Sequence, residues 1–377
     1  MKRRLGFITL SLLVLLFVIA VATGAVGDAG GGFYRLVGLF GQVVGLVRSS
    51  YVQEVPISRL EMGAMDGLVT AGDPGGAWVP EESFAGFLAM KRRPVPAFGL
   101  VLGRRSAYPF VLQVLPGSPA AAAGIVVGEL VERVGSEFVR ARPTWQTELL
   151  LDGAERSQSA VEVEIIDRRL RWKRKVTIMP GAVSVPGPLV EMKDGIPVAR
   201  MEVVDRESVR RITPLLAQQE GAPGVVVDLR GLALGSFEGA AEAAAVFSGG
   251  GVEVKLGRTG GGTEVVRAAG PPKPWRVVVC MDSTTGGAAE ALALVLKGHG
   301  ATLVGAETYG DTGRRRALAG QGGRVWLADS WCLDEKGEPL LGAGIRPDEV
   351  VRAREGEDVV LRRALEIARA GEARQAA

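Results

Sequence analysis

The sequence has one histidine, His299, and two cysteines, Cys280 and Cys332. A single histidine excludes histidine-rich metal sites and makes any Ser-His-Asp triad depend on that one side chain. His299 lies in Lys297-Gly298-His299-Gly300, which reads as a helix C-terminus, where a cation offsets the dipole and glycine provides the cap. No Cys-x-x-Cys spacing occurs, so no zinc site is expected, and neither metal nor cofactor is called for. Both cysteines sit in apolar, strand-like segments, and spacing alone leaves open whether they pair or stay as buried thiols. Net charge is scarce too. At +3 it is too small to argue for a nucleic-acid partner.

What is abundant is apolar residues, at 47% against 23% charged, the balance of a globular protein. A length of 377 residues exceeds a usual single core, so two or three domains are expected. Met1-Lys2-Arg3-Arg4 precedes an uncharged stretch from Leu5 to Gly27, which has the form of an export signal and enough length to span a bilayer. Leucine and valine dominate it, so residues 1–27 are expected to be a retained membrane anchor with the rest outside the cytoplasm, in the cell envelope. Cleavage near Ala20-Val21-Ala22, giving a secreted protein, is the alternative.

Residues 28–93 read as a helical region: over 33–70 Phe33, Leu36, Val37, Phe40, Val43, Val44 and Val47 make one stripe and Ile57, Leu60, Met65 and Leu68 a second, and a third short helix is expected from Glu81 to Met90. Residues 94–182 read as a β-rich module, with strands at Phe98–Leu102, Phe110–Leu115 and after Gly128, a helix from Thr144 to Leu151, and a hairpin of 161–166 with 171–179. That hairpin carries Arg168, Arg169, Arg171, Lys173, Arg174 and Lys175. It is read as a solvated strand with Trp172, Val176 and Ile178 facing inward; anionic lipid is the functional alternative. From about residue 183 to 370 strands and helices alternate, implying an α/β core with a largely parallel sheet, and 371–377 are a tail.

Within that core, Val277-Val278-Val279-Cys280-Met281 is an apolar strand and Ala288–Lys297 a helix. Between them lies Asp282-Ser283-Thr284-Thr285-Gly286-Gly287. Such a turn suits a nucleophile, because free amides and the positive end of the helix dipole point at it. The hydroxyls of Ser283, Thr284 and Thr285 fall on its strand side, where bonding to local backbone is the expectation.

The order of motifs resembles the carboxyl-terminal processing, or tail-specific, serine protease family. Tyr51-Val52 with Leu60, Gly63-Ala64-Met65 and Asp73-Pro74 is similar to its N-terminal helical region. Phe98-Gly99-Leu100, Pro116-Gly117-Ser118-Pro119-Ala120, Ala123-Gly124 and Gly128-Glu129 resemble its PDZ module. Asp228-Leu229-Arg230 followed by Gly235, then Thr308-Tyr309-Gly310, then Gly344-Ile345-Arg346-Pro347-Asp348, resemble the core motifs. The resemblance implies a multidomain α/β protein: an N-terminal helical region, a PDZ-like β-rich module, and a mixed α/β protease core of the Clp-protease/crotonase-like kind.

The family's chemistry uses a serine nucleophile and a neutral lysine base. By the resemblance the nucleophile position, three before Glu290, is Gly287; the lysine position after Tyr-Gly is Asp311; and an orienting glutamine corresponds to Arg315. Gly235 and Ala288 stand at the oxyanion positions, but Leu232-Ala233-Leu234 replace the usual asparagine-proline-glycine. Thr284 and Thr285 are the fallback hydroxyls. Phe98, Gly99, Leu100 and Val101 would form the carboxylate loop and binding strand of the PDZ-like module, with Trp145 and Leu149 shaping an apolar pocket. The expectation is a catalytically inactive homologue that binds peptide or protein C-termini, or pairs with an active relative or a second copy through its N-terminal helices. An active serine- or threonine-type endopeptidase with an unrecognised base, and a structural scaffold, are the alternatives.

Overall fold

Valine runs that bury every position identify the central sheet. In the computed structural model, Val225–Asp228 and Val277–Met281 are covered on both faces, and successive side chains go to opposite sides. Residues 28–167, 172–219, 221–271, 275–334, 336–352 and 356–375 are described; the expected anchor and Arg168, Arg169 and Arg171 lie outside them. No described helix is long and apolar enough to cross a membrane.

Residues 1–64 and 65–377 form two units. In the first, helix α1 (Asp28–Ser50) leaves Leu36, Val37, Leu39, Phe40, Val43 and Leu46 exposed. Helix α2 (Ile57–Gly72) runs across the boundary.

The second unit begins with β1 (Ala77–Pro80) and α3 (Glu81–Lys91). A β module follows: β2 (Leu100–Arg105), β3 (Tyr108–Val114), the one-turn α4 (Pro119–Ala122), β4 (Leu130–Val134), β5 (Glu137–Phe138), α5 (Thr144–Arg156), β6 (Val161–Ile166) and β7 (Lys173–Ile178). Its sheet order is β2-β3-β4-β6-β7, with β5 beside β4. Phe98, Leu100, Val111, Val131, Val163, Ile165 and Ile178 fill its core.

The α/β core comprises β8 (Leu189–Lys193), β9 (Ile196–Arg200), α6 (Arg206–Ala217), β10 (Val225–Asp228), α7 (Phe237–Ser248), β11 (Gly251–Arg258), β12 (Thr263–Ala269), β13 (Val277–Met281), α8 (Ala288–Gly298), β14 (Thr302–Gly305), β15 (Gly313–Gly320), β16 (Gly323–Cys332), β17 (Glu349–Val350) and α9 (Val359–Gln375). The sheet β17-β14-β13-β10-β9-β8 is parallel except for β8. Val225, Val227, Val279 and Met281 pack in one cluster with α7 and α8; Val226, Val278 and Cys280 pack in another with α9.

A second, antiparallel sheet runs β1-β16-β11-β12, with β15 on β16. Of its strands only the end of β16, the strand-like segment at Cys332, was expected from the sequence. β1 pairs with β16 (Ala77 opposite Trp326), so part of the stretch read as N-terminal helical region is built into the core. The exposed half of the basic hairpin is neutralised locally: Lys173 pairs with Glu132, Arg174 with Glu129 and Lys175 with Glu162. Trp172 is exposed rather than inward-facing, because it precedes β7 instead of belonging to it. The cysteines are both free and buried in different clusters.

Candidate active site

The turn between β13 and α8 closes on its own polar groups. Thr284 donates from both its amide (2.9 Å) and its hydroxyl (2.5 Å) to Asp282 Oδ1. Thr285 Oγ1 donates to the Leu229 carbonyl at 2.9 Å and accepts from the Asp282 amide at 3.0 Å. Both threonines are buried. Their hydroxyls hold the turn together, as short polar side chains do in such loops.

Gly287 has φ +57° and ψ −121°, a positive-φ elbow of the kind glycine adopts most readily. A Cβ placed there would lie 3.2 Å from the Ala233 carbonyl oxygen and 3.8 Å from that of Asp311. A serine therefore fits with a small adjustment but takes a conformation that side chains resist, at roughly 1–3 kcal/mol. Gly287→Ser is expected to fold, to lose stability within that range in urea unfolding, and to gain no hydrolytic activity. Hydrolysis by this single variant would mean that a base is present after all.

Glu290, fully buried, ties the elbow to the loop that follows β14. One carboxylate oxygen accepts from the Gly287 amide (3.1 Å) and the Asp311 amide (2.8 Å); the other accepts from the Gly310 amide (2.7 Å) and from the Thr308 hydroxyl. Burial pushes its pKa up to about 7, against the lowering effect of those donors. The Tyr309 amide donates to the Thr285 carbonyl at 2.9 Å, a further tie.

Asp311 does not face the elbow with its side chain. Its Oδ1 meets Arg315 at 2.5 Å, and Arg315 also pairs with the buried Asp73 through Nε (2.8 Å) and a terminal nitrogen (2.6 Å). Asp73 additionally accepts from the amides of Ala328 (2.8 Å) and Gly75 (3.1 Å). Burial opposes the Arg315 charge, but the two carboxylates hold its pKa above the ordinary arginine value. The residue expected at the base position is thus one end of an ion-pair chain that runs through Arg315 to Asp73. Among the described residues, neither Lys297 nor Lys91 is free to replace it: Lys297 pairs with Asp348 at 2.7 Å, and Lys91, which lines the 290 Å³ cavity beside Asp311, pairs with Glu148 at 2.6 Å.

The oxyanion-equivalent residues are brought together. Gly235 (φ +151°) lies against Ala288, and a Cβ on Gly235 would stand 2.5 Å from the Val204 carbonyl oxygen, so only glycine fits. The preceding turn is held by Gln113 of β3, whose side-chain oxygen accepts from the Ala233 (3.0 Å) and Leu234 (3.1 Å) amides. Those two donors are thereby committed. Gln113 went unnoticed in the sequence, although one buried amide inside the apolar run Val111–Val114 was a signal.

Along β2 a cavity of about 180 Å³ is lined by Leu100, Val101, Glu148, Leu151, Lys91 and Leu234, among others. Leu100 and Val101 line it, whereas Phe98 and Gly99 are buried and do not. Trp145 and Leu149 do not line this cavity: both turn to α3, and Trp145 lines the cavity beside Asp311 instead. Trp145 stacks edge-on against Phe87 at 6.1 Å, and Leu149 faces Gly86. The helix turns its 148 and 151 positions to β2 because 145 and 149 form the adjacent stripe. His299 caps α8, its Nδ1 at 2.8 Å from the Val295 carbonyl. Among the described residues no cluster of potential metal ligands occurs.

The turn at Gly287, the Asp311 loop and the β10 turn all fall within residues 196–351. That region matches the model of peptidase family S41. The family resemblance read from the motifs is thus borne out, and the matched region lies within the α/β core, from β9 to β17. None of the curated proteins compared with the chain matches it. Among solved structures, the photosystem II D1 C-terminal processing protease is 18% identical, with a TM-score of 0.64 over 81% of this chain and 86% of that one, which shows the same fold. An S41 protease from Bacteroides fragilis NCTC 9343 is 15% identical, covering 74% of this chain and 84% of its own, with a TM-score of 0.44.

Proposed function

We propose that this chain is a catalytically inactive relative of the S41 peptidases that works by binding polypeptide. The observation that carries the reading is the pairing of a side-chain-free elbow, Gly287, with a loop whose base position, Asp311, is an anion bound to Arg315. An aspartate held by a guanidinium cannot act as a neutral amine, and loss of the nucleophile alone lowers turnover on the order of a million-fold. The committed hydroxyls of Thr284 and Thr285 support the same conclusion.

The ligands are protein or peptide C-termini, taken along β2 by strand addition in a PDZ-like module spanning about residues 94–182. The apolar lining from Leu100, Val101, Leu151 and Leu234 suits such a segment. The chain acts in the cell envelope, held by residues 5–27, and the exposed apolar stripe of α1 offers a surface for a second copy or an active relative. Titrating peptides with apolar C-termini while following tryptophan fluorescence should give saturable binding. A flat response across such peptides would leave a scaffold with a closed groove.

A further inference from the structure

A glutamate of the module's own helix sits on the loop assigned to ligand recognition. Gly99 and Leu100 donate their amides within the loop, to the carbonyls of Pro96 and Ala97. The Phe98 amide instead donates to Glu155 Oε1 at 2.6 Å. Phe98 reaches this pose through a positive φ of +54°, which is uncommon for an aromatic residue. Glu155 is buried near the C-terminal end of α5, and its other oxygen is bound by Arg93. Arg93 also holds Asp152 at 2.5 Å and lines the cavity along β2. A carboxylate, an amide donor and an arginine thus form a complete anion seat, filled by the chain itself.

We infer that Glu155 sets the specificity of the β2 groove by occupying the seat of a ligand's terminal carboxylate. The inference rests on the PDZ-like reading above. A C-terminal ligand must displace Glu155 from the Phe98 amide and share Arg93, so the resting protein gains little from a free terminal carboxylate. Strand addition along β2 and the apolar lining are unaffected by this competition.

The test uses the full chain and a short peptide ending in leucine-valine, as the free acid and as its C-terminal amide. The wild-type protein should bind the two forms within about twofold of each other. Glu155→Ala should prefer the free acid by about tenfold, the scale of one charge-assisted hydrogen bond. Glu155→Gln, which keeps the side-chain shape, serves if the alanine variant fails to fold, and should move in the same direction. Hydrogen exchange at the Phe98 amide gives a ligand-independent check: slow in the wild type, faster in Glu155→Ala. A wild-type preference for the acid of tenfold or more, no gain in the variants, or unchanged Phe98 exchange overturns the inference while leaving the groove reading intact. Absence of binding to every form removes both.

Discussion

Glu290→Ala is expected to destabilise the protein by about 4 kcal/mol near pH 5, with the elbow and the Tyr309–Asp311 loop losing their common anchor. Four donors converge on this carboxylate: the amides of Gly287, Gly310 and Asp311, and the Thr308 hydroxyl. Each buried donor left without a partner costs about 1–3 kcal/mol, partly relieved where water can enter the space vacated. The effect depends on pH. With a folded pKa of about 7 against an ordinary 4.5, the native state holds a proton that the unfolded chain has released. The contribution of Glu290 is therefore greatest below about pH 4.5 and falls as pH rises to about 7. The stability gap between wild type and Glu290→Ala should narrow by up to about 3 kcal/mol over that range. Urea unfolding of both proteins at several pH values measures the gap; a gap that stays flat or widens between about pH 4.5 and 7 would show that the native carboxylate is already ionised there.

Arg315→Ala should be nearly as severe, at about 4 kcal/mol, because it strands Asp73 as a buried anion without its counter-ion. The Asp73 carboxylate is buried and receives two nitrogens of Arg315, while the Ala328 and Gly75 amides supply the rest of its partners. A lysine is a single point donor and cannot span Asp73 and Asp311 as the planar fork does, so Arg315→Lys should recover about half of the loss. Asp73→Asn combined with Arg315→Gln should be milder than the sum of the single changes, since neither leaves a buried charge. A double-mutant cycle by chemical denaturation measures that coupling, and strict additivity would show that the two residues do not interact.

Much of the core was legible because its signals are local. Apolar runs such as Val225–Leu229 and Val277–Met281 announce buried parallel strands, and small residues between strand and helix announce the elbow at Gly287. The antiparallel sheet was largely missed: the pairs that join it are distant, as where Ala77 sits opposite Trp326, while its local hairpins were overlooked although Val252-Glu253-Val254-Lys255-Leu256 alternates as a half-buried strand does. The same distance hid the ion-pair chain. Asp73 belongs to a turn and Arg315 to a strand 242 residues later, so neither position predicts the other. Matching Asp311 and Arg315 to the family's motif identified the altered positions, yet the motif could not say that they would neutralise each other. The orientation of α5 was missed for a related reason. Trp145 looked suited to the β2 pocket, but it packs edge-on against Phe87 of α3 and lines the neighbouring cavity instead.

The central claim is that the Gly287 elbow performs no hydrolysis. The most direct measurement incubates the full chain with unstructured proteins bearing apolar C-termini and reads their intact masses over time. Every mass is expected to stay unchanged. Shortened products that vanish in Thr284→Ala or Thr285→Ala would contradict it, because those hydroxyls would then be nucleophiles rather than ties within the turn.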